Sequence, residues 1–213
     1  MSTTAVKRLS YAAYLEQERG QDVRHEWYDG QAVAMAGGTR LHAQLQARLL
    51  VTLANALAGR DCTVYGSDLM VRAPTGLATY PDVTVVCGRF VGDDDNPDAA
   101  TNPTLLVEVL SPSTESWDRG GKLLHTRAIP SLKHVVLVNT DWQCLEWYSR
   151  GDEGAWVWRQ ARCGGVVDLP GLGIAIDVDQ VYADTDVPAD GPLPLRVGEP
   201  RVEWGVGGAT AEL

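Results

Sequence analysis

The sequence predicts an α/β domain, and three observations carry that reading. One long amphipathic helix is legible over 41–57. Two strands, 82–87 and 104–110, are dominated by Val and Leu. From 143 onward the pattern changes to short strands separated by turns, which reads as a C-terminal antiparallel β-meander. Apolar residues make up 45% of the 213, enough for one sizeable core without a second domain. Residues 1–184 are expected to form that single domain. Residues 185–213 hold four Pro and five Gly and are expected to form a poorly ordered tail.

The elements follow in order. Ser10 is a plausible N-cap for a short helix over 10–18, with Tyr11, Tyr14 and Leu15 on its apolar side. Asp29-Gly30 supplies the positive φ values of a tight turn, so 24–35 reads as a β-hairpin that ends at Gly37-Gly38. The long helix repeats Leu41, Leu45, Leu49, Leu53 and Leu57 every fourth residue, with Thr39 as N-cap and Gly59 as its stop. Two short strands, or one bulged strand, are expected over 62–65 and 68–72, and a turn at 74–76. The strands at 82–87 and 104–110 flank an acidic loop. Ser111 to Thr114 ends the second of them. A helix over 117–128, ended by Pro130, and a buried strand over 134–139 precede the meander.

Composition restricts the function classes. The N-terminus lacks the apolar stretch of a signal peptide, and no apolar run is long enough to span a bilayer, so a cytoplasmic protein is expected. Cys62, Cys87, Cys144 and Cys163 lie far apart, which argues against a zinc site. In a cytoplasmic chain it also argues for reduced thiols, with Cys144 and Cys163 the two that could meet on neighbouring strands. The net charge of −10 opposes a simple DNA-coating role. Nine of the acidic residues, however, lie in two stretches (Asp93, Asp94, Asp95, Asp98; Asp177, Asp179, Asp184, Asp186, Asp190). Segment 115–134 carries Arg119, Lys122, Arg127 and Lys133 against Glu115 and Asp118, so a locally basic surface is possible.

Two residues break the rules of strand composition. Glu108 stands inside the apolar run 105–110, where a carboxylate needs a cation, a metal or hydrogen-bond donors. Asp82 follows Pro81 at the start of another apolar strand. Two carboxylates on adjacent strand ends repel each other, and a hard divalent cation with oxygen ligands relieves that. Lys122 lies four residues after Asp118 on the following helix, placed to orient a water and offset charge in a phosphoryl-transfer transition state. Each residue also has a purely structural explanation. Glu108 could pair with an internal cation, Asp82 could cap a turn, and Lys122 could be solvated.

The strings Pro81-Asp82, Glu108-Val-Leu-Ser-Pro-Ser-Thr114 and Asp118-Arg-Gly-Gly-Lys122, with Glu26-Trp-Tyr-Asp29-Gly30 and the helix start near His42, resemble the PD-(D/E)XK nuclease superfamily and its Uma-type restriction endonuclease branch. The resemblance runs over about 8–180. It implies a restriction-endonuclease-like core, a mixed β-sheet flanked by helices. It implies Mg²⁺ or Mn²⁺ held by Asp82, Glu108 and the Val109 carbonyl, with Lys122 and Glu26 completing the catalytic set and DNA as substrate. A homodimer would supply two sites for two strands. The alternative is a nuclease-fold protein that has lost the chemistry and serves as a nucleic-acid or protein binding module. Two positions depart from the pattern: the superfamily's usual lysine position is Leu110, and the branch's Tyr four residues after its lysine is Thr126.

Other residues are open to more than one reading. His42 could reach a phosphate or lie on the helix boundary, and Arg40 and Arg48 could be solvated or phosphate-facing. Trp147, Trp156 and Trp158 suit a sheet face or dimer interface better than base stacking. Ser111 and Ser113 lack a nucleophile elbow, and no P-loop or dinucleotide fingerprint is present.

Overall fold

The computed structural model describes residues 8–35 and 37–191. The elements run α1 (Tyr11–Glu18), β1 (His25–Tyr28), β2 (Gln31–Ala34), α2 (Arg40–Ala56), β3 (Cys62–Gly66), β4 (Val71–Arg72), β5 (Ala78–Thr79), β6 (Val83–Cys87) and β7 (Leu105–Val109). A composite helical segment follows: α3 (Glu115–Trp117), a π-helical turn (Asp118–Lys122) and α4 (Leu123–Thr126). Then come β8 (His134–Val138), β9 (Cys144–Arg150), β10 (Trp156–Arg162), β11 (Val166–Leu169), β12 (Ile174–Asp177) and α5 (Val178–Tyr182).

Six strands form the central sheet in the order β10-β9-β8-β7-β6-β3. Only β7 and β8 pair in parallel, joined by the helical crossover; the other neighbours are antiparallel, so the sheet is mixed. The β1–β2 hairpin forms a second sheet with β5 and β4, and β11–β12 is a separate antiparallel pair. The expected meander therefore divides. Its first two strands widen the main sheet, and its last two fold over the core.

Period-two alternation assigns the two faces. Leu105, Val107 and Val109 point with Val83 and Val85 toward α2, whose Leu45, Leu49 and Leu53 have no exposed surface. Leu106 and Leu110 point the other way, with Val86, Val135 and Leu137, under Leu123 and Ile129. Glu108, between Leu106 and Leu110, must share that second face, beneath the helical crossover. Trp147 is buried in the first core, and Trp156 packs half-buried against the second under the Arg150 guanidinium.

Two sequence expectations are revised. Cys62 and Cys87 are cross-strand partners in the β3–β6 ladder and form a disulfide, while Cys144 is free and buried and Cys163 free and exposed. The spacing hid the pair because strand register, not sequence distance, sets which residues face each other. The expected strand at 68–72 shrinks to β4, which pairs with β5, a strand not foreseen because Ala78 and Thr79 alone carry no periodicity. The first residues of the predicted tail pack on the body, where Val187 is buried in the first core and Gln143 bonds to the Val187 and Pro188 carbonyls. Residues 192–213 of that tail lie outside the described residues. No helix among the described residues is long and apolar enough to cross a membrane.

Candidate active site

Asp82, Glu108, Lys122 and Glu26, widely separated in sequence, meet at one end of the sheet. Val83 faces Val107 across β6 and β7, so one step further in the same register Asp82 stands against Glu108. Asp82 Oδ2 accepts the Val109 amide N–H at 2.7 Å, which fixes its carboxylate beside the Glu108 strand. Asp82, Glu108 and Lys122 are only 8%, 7% and 4% exposed.

Lys122 is the hub. Its Nζ lies 2.9 Å from Glu26 Oε1, 2.9 Å from Glu108 Oε1 and 3.4 Å from Asp118 Oδ1. Burial alone would lower its pKa, but Glu108, Glu26 and Asp118 outweigh that and hold it well above the ordinary lysine value, so the ammonium stays charged. Glu108 shows the opposite balance. Burial drives its pKa well above the usual carboxylate range, Lys122 relieves part of this, and Asp118 and Asp82 push it up again. Burial likewise raises Asp118. Burial would also raise Glu26, but the Lys122 ammonium and donors from Thr79 and Trp117 hold it below its ordinary value.

The local geometry explains why Lys122 reaches these partners. A π-helical turn closes i→i+5 hydrogen bonds and holds more residues per turn than an α-helix, so residues four apart nearly eclipse. That stacks Asp118 under Lys122. Gly121 permits the packing: a Cβ there would meet Trp117 Cζ3 at 2.2 Å, and Trp117 is the ring that donates to Glu26 Oε2 at 2.7 Å. Gly121→Ala must push that indole away, so the Trp117–Glu26 bond is expected to break with a loss of about 1–3 kcal/mol in urea unfolding. An unchanged unfolding midpoint would contradict this.

His42, left open by the sequence, sits in the site. Thr39 caps α2 by accepting the His42 amide N–H, and His42 Nε2 then lies 3.3 Å from Asp82 Oδ2. Its hydrogen bond to Asp82 is the main reason its pKa is raised, against the lowering effect of burial. Gly38 packs against the ring, since a Cβ there would lie 2.9 Å from Nδ1. Gln46, one helical turn on, donates to the Asp82 carbonyl. The signal for His42 was its place in the first turn of a capped helix; nothing local pointed to Gln46, Thr79 or Trp117 as site residues.

Other candidates fall away from the site. Arg48 pairs with Asp184 at 2.8 Å, and Arg40 lies 3.9 Å from Asp186. The expected basic surface over 115–134 is reduced, because Lys122 is buried and Arg119 is paired with Glu115 and Glu146. Ser111 bonds within its own turn to Ser113 and Thr114, and His125 packs at a tilt against the Tyr28 ring. The Thr126 hydroxyl donates to the Lys122 and Leu123 carbonyls rather than reaching outward.

The donor set suits a hard divalent cation: Asp82 and Glu108 stand at facing positions of adjacent strands, and three carboxylates surround one lysine ammonium. No group of three His, Cys, Asp or Glu side chains among the described residues is arranged to cage a metal ion. A cation here would take two carboxylates and complete its shell with water and substrate oxygens, which is the common arrangement for Mg²⁺.

Comparison with known proteins agrees with this architecture. The family model described as "Uma2: Putative restriction endonuclease" matches residues 11–179. Two proteins of Synechocystis sp., both described as uncharacterized, are similar: one is 36% identical over 82% of this chain and 92% of its own length, the other 28% identical over 74% and 89%. A crystal structure from Anabaena variabilis, described as "a putative nuclease belonging to DUF820", superposes with a TM-score of 0.65 at 13% identity, covering 80% of this chain and 96% of that one. At that identity the likeness speaks for the fold.

Proposed function

Since the chain belongs to the Uma2 family, whose model is described as "Putative restriction endonuclease", we propose that it is a metal-dependent endonuclease that hydrolyses phosphodiester bonds in DNA. The observation that carries this reading is the convergence of Asp82 and Glu108 in adjacent strand positions with the Lys122 ammonium 2.9 Å from Glu108. Asp82 and Glu108, with the Val109 carbonyl, would hold Mg²⁺ or Mn²⁺. Bound there, the cation would polarise a phosphoryl oxygen and acidify a water. The rest falls to the chain's own groups. Lys122 orients the attacking water and offsets charge building on the phosphoryl oxygens. Glu26 and Asp118 hold Lys122 in place, and His42 and the Val109 N–H hold Asp82.

The experiment is plasmid cleavage in Mn²⁺, Mg²⁺ and EDTA. Cleavage is expected in either metal and not in EDTA. Second-sphere substitutions at metal sites cost about 10–100-fold, so Asp82→Ala, which removes a direct ligand, is expected to lose at least about 100-fold. Full metal-dependent activity in that variant would defeat the assignment.

The enzyme would act as a homodimer, two copies of one site serving two strands. Light scattering should give twice the chain mass of 23.0 kDa; a monomer at working concentration would remove the dimer. One observation favours a second reading, a binding module with a silent site: Lys122 already contacts three carboxylates. Calorimetry showing no Mg²⁺ or Mn²⁺ binding beyond the Asp82→Ala background would favour it.

A further inference from the structure

Beside the site lies a second buried ion pair on the same helical segment. Arg119 Nη1 donates to Glu146 Oε2 at 2.8 Å, and Nη2 lies 2.6 Å from Oε1 as a charge contact without hydrogen-bond geometry, so one hydrogen bond and one ion contact tie the guanidinium to the carboxylate. The Arg119 and Glu146 side chains are 6% and 3% exposed. Arg119 Nε also donates to Glu115 at 2.6 Å, and the Trp158 indole donates to Glu146 at 3.1 Å.

The sheet register shows where this pair acts. Glu108 faces Leu137 across β7 and β8, and Leu137 faces Glu146 across β8 and β9. Registered neighbours share a face, so Glu108, Leu137 and Glu146 form one row beneath the crossover, the two carboxylates about 10 Å apart at normal strand spacing. The π-helical turn presents one cation to each end of that row, Lys122 to Glu108 and Arg119 to Glu146. A π turn is an uncommon backbone state that is frequently found at functional sites. Two pins along one row hold its rotation and its height above the sheet, whereas one pin would leave it free to pivot.

We infer that the Arg119–Glu146 pair is a positioning device for Lys122: it registers the π-helical turn on β9 so that the ammonium stays within reach of Glu26 and Glu108. This rests on the reading of Lys122 as the group that meets the substrate phosphate. Neither Arg119 nor Glu146 touches the reacting atoms.

Amine acylation read by peptide mass spectrometry tests it without substrate. The chain has three lysines, Lys7, Lys122 and Lys133. Lys133 is exposed and serves as internal standard. The double variant Arg119→Met with Glu146→Leu replaces the pair by apolar side chains of similar volume, a change that is often neutral or stabilising in other proteins. A pair serving stability alone would leave Lys122 protected in that variant. The positioning role predicts a melting temperature near wild type, with Lys122 acylation raised about tenfold relative to Lys133 as the turn opens locally. It also predicts plasmid-cleavage kcat lower by about 100-fold with little change in KM. Unchanged protection of Lys122, or unchanged kcat, in the folded double variant overturns the inference. If the double variant does not fold, Arg119→Lys, which keeps the charge and loses the fork, is read by the same acylation ratio. A wild type that cuts no DNA defeats the nuclease reading, while the acylation ratio still decides this one.

Discussion

Lys122→Met is expected to unfold more easily by about 3–5 kcal/mol at neutral pH and to lose cleavage. The reason is the charge left behind. Lys122 is the cation that Glu26, Glu108 and Asp118 share at 2.9, 2.9 and 3.4 Å. Removing one partner of a buried ion pair leaves an uncompensated charge out of water, which costs about that much. The loss depends on pH, and its sign follows from linkage. In the wild type, Glu26 is held below its ordinary pKa, so its contribution is present above the unfolded value and lost as pH falls through the folded one. In the variant the carboxylates are buried without their cation, so Glu26 rises above its unfolded value and Glu108 and Asp118, already raised in the wild type, rise further. The folded state then binds more protons, and stability falls as pH rises above about 4. Urea titrations from pH 4 to 8 should therefore diverge toward neutral pH. Parallel curves would show that Lys122 does not neutralise this cluster. Lys122→Arg is not expected to restore the wild type, because a planar fork does not reproduce a point charge shared three ways.

Glu108→Gln is expected to stabilise the fold while abolishing cleavage. Glu108 carries its charge at a cost, since burial, Asp118 and Asp82 all raise its pKa and only Lys122 opposes them. An acid whose folded pKa is raised withdraws stability as pH climbs from its unfolded value through its folded value. Gln removes that loss and keeps the shape, and Lys122 retains Glu26 and Asp118 as partners. A gain on the order of 1 kcal/mol at pH 7, absent below pH 4, is the expected result, the usual exchange of stability for activity at a functional site. Cleavage should drop at least about 100-fold because a proposed direct metal ligand is gone. A variant that is less stable than wild type at pH 7 would mean that Lys122 repays the burial of Glu108 in full. One that still cuts would remove Glu108 from the metal site.

Much of this protein could be read along the chain. The leucines of α2 fall on one face because a four-residue step nearly matches the helical turn, and three of them have no exposed surface. Glu108 declared itself by being the one charge in a strand apolar on both faces, and Pro81 marked the strand start that carries Asp82. Asp118 and Lys122 were legible as helix neighbours, although the turn between them is π rather than α, with Gly121 lying against Trp117.

What the sequence determined by itself was therefore the faces: which side of each helix or strand is apolar, and which polar residues violate that rule. Tertiary structure decided the neighbours. Strand order and register brought Cys62 opposite Cys87, carried Glu146 into the row of Glu108, and placed β1, in a separate sheet, so that Glu26 meets the lysine of the helical crossover. The physical reason is that side-chain periodicity is a local property of backbone geometry. Pairing between distant strands is chosen by the packing of the whole core, and no short stretch of sequence records that choice.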